Sequence, residues 1–364
     1  MIQASLPETI RKAAPEQLQE GIAAAKAKLD GRLVVLGHHY QRDEVIRHAD
    51  FTGDSFKLAR AAADRSEADF IVFCGVHFMA ESADILSGEH QTVFLPDLNA
   101  GCTMADMAEI DQVERAWEDV TAAVGEDIAP VTYMNSSASL KAFCGRHGGA
   151  VCTSSNARAV IEWALRSKPR VLFFPDQHLG RNTGYRMGIP LEAMPVFDPY
   201  EASGGLTDKQ MRDSKMILWK GHCSVHNRFT PEMVDKRRAE IPGVKVIVHP
   251  ECRFEVAQKA DVIGSTEGIL KTVRESPPGT KWTVGTELNM VSRMAREQAA
   301  QDKQVVSLDD CFCACSTMFR IDPPHLLWVL EGLVEGDLTR NPIRVPPKTA
   351  GEARTALDRM LAIT

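Results

Sequence analysis

The chain has 364 residues, a formal net charge of −7, and is 44% hydrophobic and 25% charged. That length can bury a substantial core and accommodates two or three domains. The acidic balance leaves no footprint for a nucleic acid or an anionic membrane surface, and no run approaches the roughly 20 apolar residues of a membrane span. The N-terminal stretch MIQASLPETIRKAAPEQLQE lacks the apolar core of a secretory signal, so a cytoplasmic location is expected. In that reducing compartment nine cysteines are not expected to form a disulfide framework. Metal ligation or catalysis is expected of some and burial as small hydrophobes of the rest.

In chain order, residues 15–28 carry spaced apolar side chains and predict a helix. From residue 32 onward a four-part pattern runs through the chain three times. Its first part is a short apolar run ending in polar residues: RLVVLGHHYQ, IAPVTYMNSS and VKVIVHPEC. A helix-like stretch follows, then a small-hydroxyl turn: TGDSF, CTSSN and IGSTEG. A second strand-like run comes next: FIVFCG, RVLFFPD and KWTVGTE. The last run ends on cysteine: TVFLPDLNAGC, KMILWKGHC and QVVSLDDCFCAC. Strands that read as continuous apolar runs and alternate with helices predict parallel sheets covered on both faces.

An internal repeat fixes an architecture. The expectation is α/β: three homologous three-layer αβα units with parallel sheets around a pseudo-threefold axis. The units are placed at residues 1–105, 106–226 and 227–320, with an irregular insertion at 181–213. Helices are expected in residues 321–364, packing on the first unit.

Ligands of parallel α/β sheets bind at the carboxyl ends of the strands. The repeat puts His38, His39 and Tyr40, then Tyr133, Asn135 and Ser136, then His249, Glu251 and Cys252 at that station. Ser55, Ser154, Ser155, Ser265 and Thr266 stand near helix starts. There they serve either as plain N-caps or as part of an anion site. No P-loop or GxGxxG fingerprint is present, which disfavours a nucleotide cofactor. Cys102, Cys223 and Cys315 occupy one equivalent position in each unit. Three thiolates around an axis suit an iron–sulfur cluster, zinc or copper, and on a cubane they leave one iron open as a Lewis acid. The tails CTM, CSV and CST align Cys315, rather than Cys311 or Cys313, with Cys102 and Cys223. Cys74, Cys144 and Cys152 have no equivalents and read as structural.

These blocks resemble those of the quinolinate synthase family over nearly the whole chain: GHHYQ, ADFTGDSFKLARAA, YMNSSASLKA, CTSSNA, GHCSVH, HPEC, GSTEG, GTELNM and CFCACSTM occur in order. The resemblance implies an enzyme of NAD biosynthesis. Such an enzyme condenses iminoaspartate with dihydroxyacetone phosphate to quinolinate, releasing phosphate and two waters. It also implies one [4Fe–4S] cluster on Cys102, Cys223 and Cys315 with a free iron. The implied pocket comprises His38, Tyr40, Ser55, Tyr133, Asn135, Ser154, His226, His249, Glu251, Ser265 and Thr266. Within it, Glu251, His249, Tyr40 and Tyr133 are catalytic, and Tyr40 serves as a lid. A transient contact with L-aspartate oxidase is expected, with no nucleic acid or membrane partner. Family members often carry Cys-x-x-Cys-x-x-Cys near the end, whereas this chain has Cys-x-Cys-x-Cys. Two other classes remain at this stage. An electron carrier would need four protein ligands to its cluster, and a zinc hydrolase built on the three cysteines would be colourless.

Overall fold

The computed structural model describes residues 3–64, 67–310 and 314–363. Cys311 and Cys313 lie outside the described residues. The chain divides into two compact units, one comprising Met1–Cys102 with Ala314–Pro346, the other Thr103–Cys313 with Pro347–Thr364.

The first unit holds one sheet. Its strands are β1 (Leu33–His38), β2 (Phe51–Gly53), β3 (Phe70–Cys74) and β4 (Thr92–Phe94), set in the order β4-β3-β1-β2. All four run parallel. β1 and β3 are buried along their whole length, because helices cover both faces of such a sheet.

The second unit holds two sheets. One contains β5 (Ala129–Tyr133), β6 (Ala150–Cys152), β7 (Val171–Phe174), β8 (Val196–Phe197) and β9 (Met216–Trp219), in the order β6-β5-β7-β9-β8. The other contains β10 (Lys245–Val248), β11 (Val262–Ile263), β12 (Lys281–Gly285) and β13 (Gln304–Ser307), in the order β11-β10-β12-β13. The last strand, β14 (Pro342–Ile343), returns to the first unit and pairs antiparallel with β4.

The first and third sheets repeat one order, second strand, first, third, fourth, and the middle sheet follows it with β9 in the fourth place and the extra strand β8 beyond it. In such a sheet the chain turns opposite ways after the first and third strands. A crevice opens between them at their carboxyl ends, where ligands settle. The residues there are His38 at the end of β1, Tyr133 at the end of β5, and His249 just after β10.

Two features differ from the sequence reading. The stretch 181–213 is structured: it carries the end of helix Gln177–Arg186, the edge strand β8, and helix Asp208–Asp213. QHLGRNTGYR shows little apolar period, yet Asp176 Oδ1 accepts the His178 and Leu179 N–H groups at 2.6 and 2.9 Å and starts the helix. The C-terminal helices also part company. Helix Pro323–Glu335 packs on Pro15–Leu29 in the first unit, while helix Pro347–Ala362 packs on Ala138–Arg146 in the second.

Candidate active site

Glu251 sits in the turn that follows β10 and is 3% exposed. Three side chains surround its carboxylate. Tyr133 Oη donates to Oε1 at 2.6 Å. His226 Nδ1 lies 2.8 Å from Oε2, and His249 Nδ1 lies 3.9 Å from Oε1. His226 is held on its other side by Thr286, whose Oγ1 lies 3.1 Å from Nε2. The turn itself is braced by Asn182, whose Nδ2 donates to the Pro250 and Cys252 carbonyls at 2.8 and 2.7 Å.

Burial pushes the Glu251 carboxyl up, but His249, His226 and the Tyr133 hydroxyl together outweigh it and hold the group below the ordinary carboxylate range. Burial also pulls the His249 pKa down, against the Glu251 charge that pulls it up. Asp176, at the end of β7, goes the opposite way. Burial and the neighbouring Glu251 charge raise it, against three N–H donors from Leu179, His178 and Cys223. Two buried carboxyl groups whose affinities for a proton are pushed in opposite directions, set beside two imidazoles, form an arrangement that can take up and return a proton.

Cys223 joins this group. One ligand atom each from Cys223, His226 and Glu251 lies within 4.8 Å of the others, and sulfur, nitrogen and oxygen donors at that spacing could hold a metal ion. The cysteines separate by burial in a way that bears on cofactor binding. Cys102, Cys223 and Cys315 are partly exposed, while Cys74, Cys144, Cys152 and Cys252 are fully buried. Burial raises the Cys74 thiol to about 12 and the other three well above the ordinary value. Such thiols ionise poorly and make poor ligands.

The three partly exposed cysteines also share one local conformation. Each starts a two-residue turn into a 3₁₀ turn three residues on: Ala105–Met107, His226–Arg228 and Met318–Arg320. The carbonyls of Cys223 and Cys315 both accept an N–H four residues later at 2.9 Å. The donor chemistry and the accessibility fit an iron–sulfur group. His226 stands at the first position of the turn that follows Cys223, so the backbone that presents the thiol also presents the imidazole.

Ser154 and Ser265 line a cavity of about 230 Å³ together with Pro250. Ser265 caps helix Thr266–Glu275, accepting the Gly268 N–H at 3.2 Å, and Thr266 is its buried first residue. At the start of helix Ser55–Asp64 the cap is Asp54 instead, which accepts the Lys57 N–H at 2.9 Å. Asn135 Oδ1 is buried without a hydrogen-bond partner among the described residues. In the first unit His38 is buried, and its Nδ1 accepts the Tyr40 N–H at 3.2 Å while the two rings meet edge to face at 4.7 Å. Ser55, Cys102 and Cys315 belong to that unit as well. Asp176, Asn182 and Thr286 escaped the sequence reading. Asp176 and Glu287 both cap a helix directly after a third strand, so the repeat itself carried a signal for that station.

The family model described as Quinolinate synthetase A protein matches residues 20–362. The chain belongs to that enzyme family. A quinolinate synthase of Acidobacterium capsulatum is 57% identical over 348 residues, covering 95% of this chain and 93% of the relative. One of Streptomyces coelicolor is 58% identical over 342 residues, covering 93% and 86%. One of Halalkalibacterium halodurans is 54% identical over 356 residues, covering 98% and 96%. No helix of this family member, among the described residues, is long and apolar enough to cross a membrane.

Proposed function

We propose that the chain condenses iminoaspartate with dihydroxyacetone phosphate to quinolinate, releasing phosphate and two waters, as a step of cytoplasmic NAD biosynthesis. The balance closes without an oxidant: one carbon–carbon and one carbon–nitrogen linkage form, and phosphate and two hydroxyl groups leave. The observation that carries this reading is the Glu251 carboxylate, ionised and buried between Tyr133, His226 and His249 in a chain of this family. Loss of phosphate and water requires repeated proton removal and return, and a carboxylate flanked by a phenol and two imidazoles supplies it.

Glu251 serves as base, with Tyr133 and His249 beside it as proton donors or acceptors. His226 orients the carboxylate. His38, Ser55, Asn135, Ser154, Ser265 and Thr266 bind the carboxylates and phosphate of the substrates, and Tyr40 closes over them. Cys102, Cys223 and Cys315 hold a [4Fe–4S] cluster. When bound, that cluster supplies an open iron as a Lewis acid for the dehydration. Iminoaspartate hydrolyses readily in water, which favours a transient contact with the L-aspartate oxidase that makes it.

The test is anaerobic. The purified chain, given iminoaspartate generated in place and dihydroxyacetone phosphate, should form quinolinate, and the protein should be brown. Serine at position 102, 223 or 315 should abolish both the colour and the product, whereas Cys144→Ser should leave the cluster intact. A colourless, zinc-loaded protein would instead favour a second reading, a zinc hydrolase, for which the mixed Cys223, His226 and Glu251 donor set is suited.

A further inference from the structure

The cavity beside Pro250 has a composition that the residues around Glu251 do not explain. Two helices begin at it: Ala157–Ser167, preceded by Ser154, and Thr266–Glu275, preceded by Ser265. A third helix, Gln177–Arg186, offers it one face, since Asn182 and Arg186 are four residues apart. Arg158 also lies on its lining.

Three observations point to a ligand. Asn182 is 1% exposed, and its Oδ1 has no hydrogen-bond partner although its Nδ2 is fully engaged. A buried acceptor left unpaired is costly unless something donates to it. Arg186 is exposed and has no carboxylate partner among the described residues; its guanidinium makes one long contact, 3.4 Å to the Ile263 carbonyl. Arg158 is exposed too, but Glu162 takes part of its charge at 2.8 Å. Two helix N-termini and an uncommitted arginine favour a compact anion, and the Asn182 oxygen calls for a hydroxyl donor next to it.

We infer that this cavity receives a small hydroxylated phosphate monoester, with Arg186 drawing in the phosphate and Asn182 Oδ1 accepting a hydroxyl of the same molecule. The inference rests on the proposed synthase reading and makes Arg186 a specificity-determining residue for its phosphorylated substrate. Arg158 adds charge at the rim.

Glycerol 3-phosphate has the phosphate and hydroxyls but no carbonyl to react, so it probes the cavity alone. Calorimetry on the anaerobic holoenzyme should show it binding, and Arg186→Gln should weaken that binding roughly tenfold. The double variant Arg158→Gln/Arg186→Gln should weaken it further. Arg166→Gln, an exposed charge at the other end of helix Ala157–Ser167, should bind like the parent. Methyl phosphate, which has no hydroxyl to donate to Asn182, should bind several-fold more weakly. In turnover, Arg186→Gln should raise KM for the triose phosphate by a similar factor with kcat within about twofold. Equal affinity of the parent and Arg186→Gln, or binding of malate in place of glycerol 3-phosphate, overturns the inference. Arg186-dependent glycerol 3-phosphate binding by a parent that makes no quinolinate leaves the site standing and removes the synthase reading instead.

Discussion

The imidazole rings of His226 and His249 stack with centroids 4.5 Å apart and planes 23° from parallel. Both border the Glu251 carboxylate, and both are almost fully buried. Two imidazolium ions could not stack at that distance in a dry site without strong repulsion. The Glu251 carboxylate borders both rings and offsets the positive charge that either one takes up. This couples the base to its neighbours and sets the first two predictions.

Glu251→Gln keeps the shape of the side chain and removes the charge. Turnover should fall by about 10² or more, the usual contribution of a positioned base. Circular dichroism and cluster absorbance should match the parent. A rate within about twofold of the parent would remove Glu251 from the mechanism.

Tyr133→Phe deletes the 2.6 Å donor to Glu251 and leaves the two histidines in place. A carboxylate that loses a donor becomes easier to protonate. The acid limb of the kcat profile should therefore move to higher pH, with kcat reduced about 10- to 100-fold at neutrality. An unmoved acid limb would mean that Tyr133 touches substrate and not the titration of Glu251.

His178 gives a stability prediction. Burial, and then the Arg181 charge, hold its pKa down at about 4 against an ordinary 6.5. The folded protein thus binds this proton less readily than the unfolded chain does. The stabilisation is complete above about pH 6.5 and is lost as pH falls through about 4. The melting temperature of the parent should drop over that interval. His178→Gln, which cannot titrate, should show a drop shallower by a few degrees. Parallel curves would show that His178 titrates alike in the folded and unfolded chain.

Much of the scaffold was legible because it is local. FIVFC and VLFF are apolar throughout, as strands buried on both faces must be, and the hydroxyl turns mark where each chain segment enters a helix. The shared tails after Cys102, Cys223 and Cys315 likewise correspond to one backbone turn. What stayed hidden depends on contacts distant in sequence. The repeat set Tyr133 and Glu251 at one station, but the 2.6 Å hydrogen bond between them, across 118 residues, is not announced by either neighbourhood. β8 has two residues and no period of its own, and exists because β9 offers it an edge. Asn182 sits in a polar helix whose only sequence signal is the Asp176 cap.

The burial of the cysteines predicts their reactivity. In the cluster-free protein, iodoacetamide near pH 8 should label Cys102, Cys223 and Cys315 within minutes, because attack requires an accessible thiolate. Cys74, Cys144, Cys152 and Cys252 should stay unmodified until the protein unfolds, as they are buried and their thiols are pushed up. Peptide mass spectrometry reads each site separately. Rapid labelling of Cys252 in the folded protein would show that the turn after β10 opens far more than its packing implies.

The C-terminal helix provides the last test. Helix Pro347–Ala362 lies so close to Ala138–Arg146 that a methyl group on Gly145 would sit 2.0 Å from the Glu352 carbonyl oxygen. That oxygen belongs to the backbone, so relief requires moving a helix and not turning a side chain. Gly145→Ala should therefore destabilise the protein by about 1–3 kcal/mol, the cost of overpacking. It should also expose residues 347–363 to limited proteolysis. Arg146 is the control, since it binds Glu352 through the side chain alone, at 2.6 Å and partly exposed. Losing that pair in Arg146→Gln should cost no more than about 1 kcal/mol and leave the helix protected. If Gly145→Ala melts with the parent while Arg146→Gln does not, the helix is held by its ion pair and not by close backbone packing.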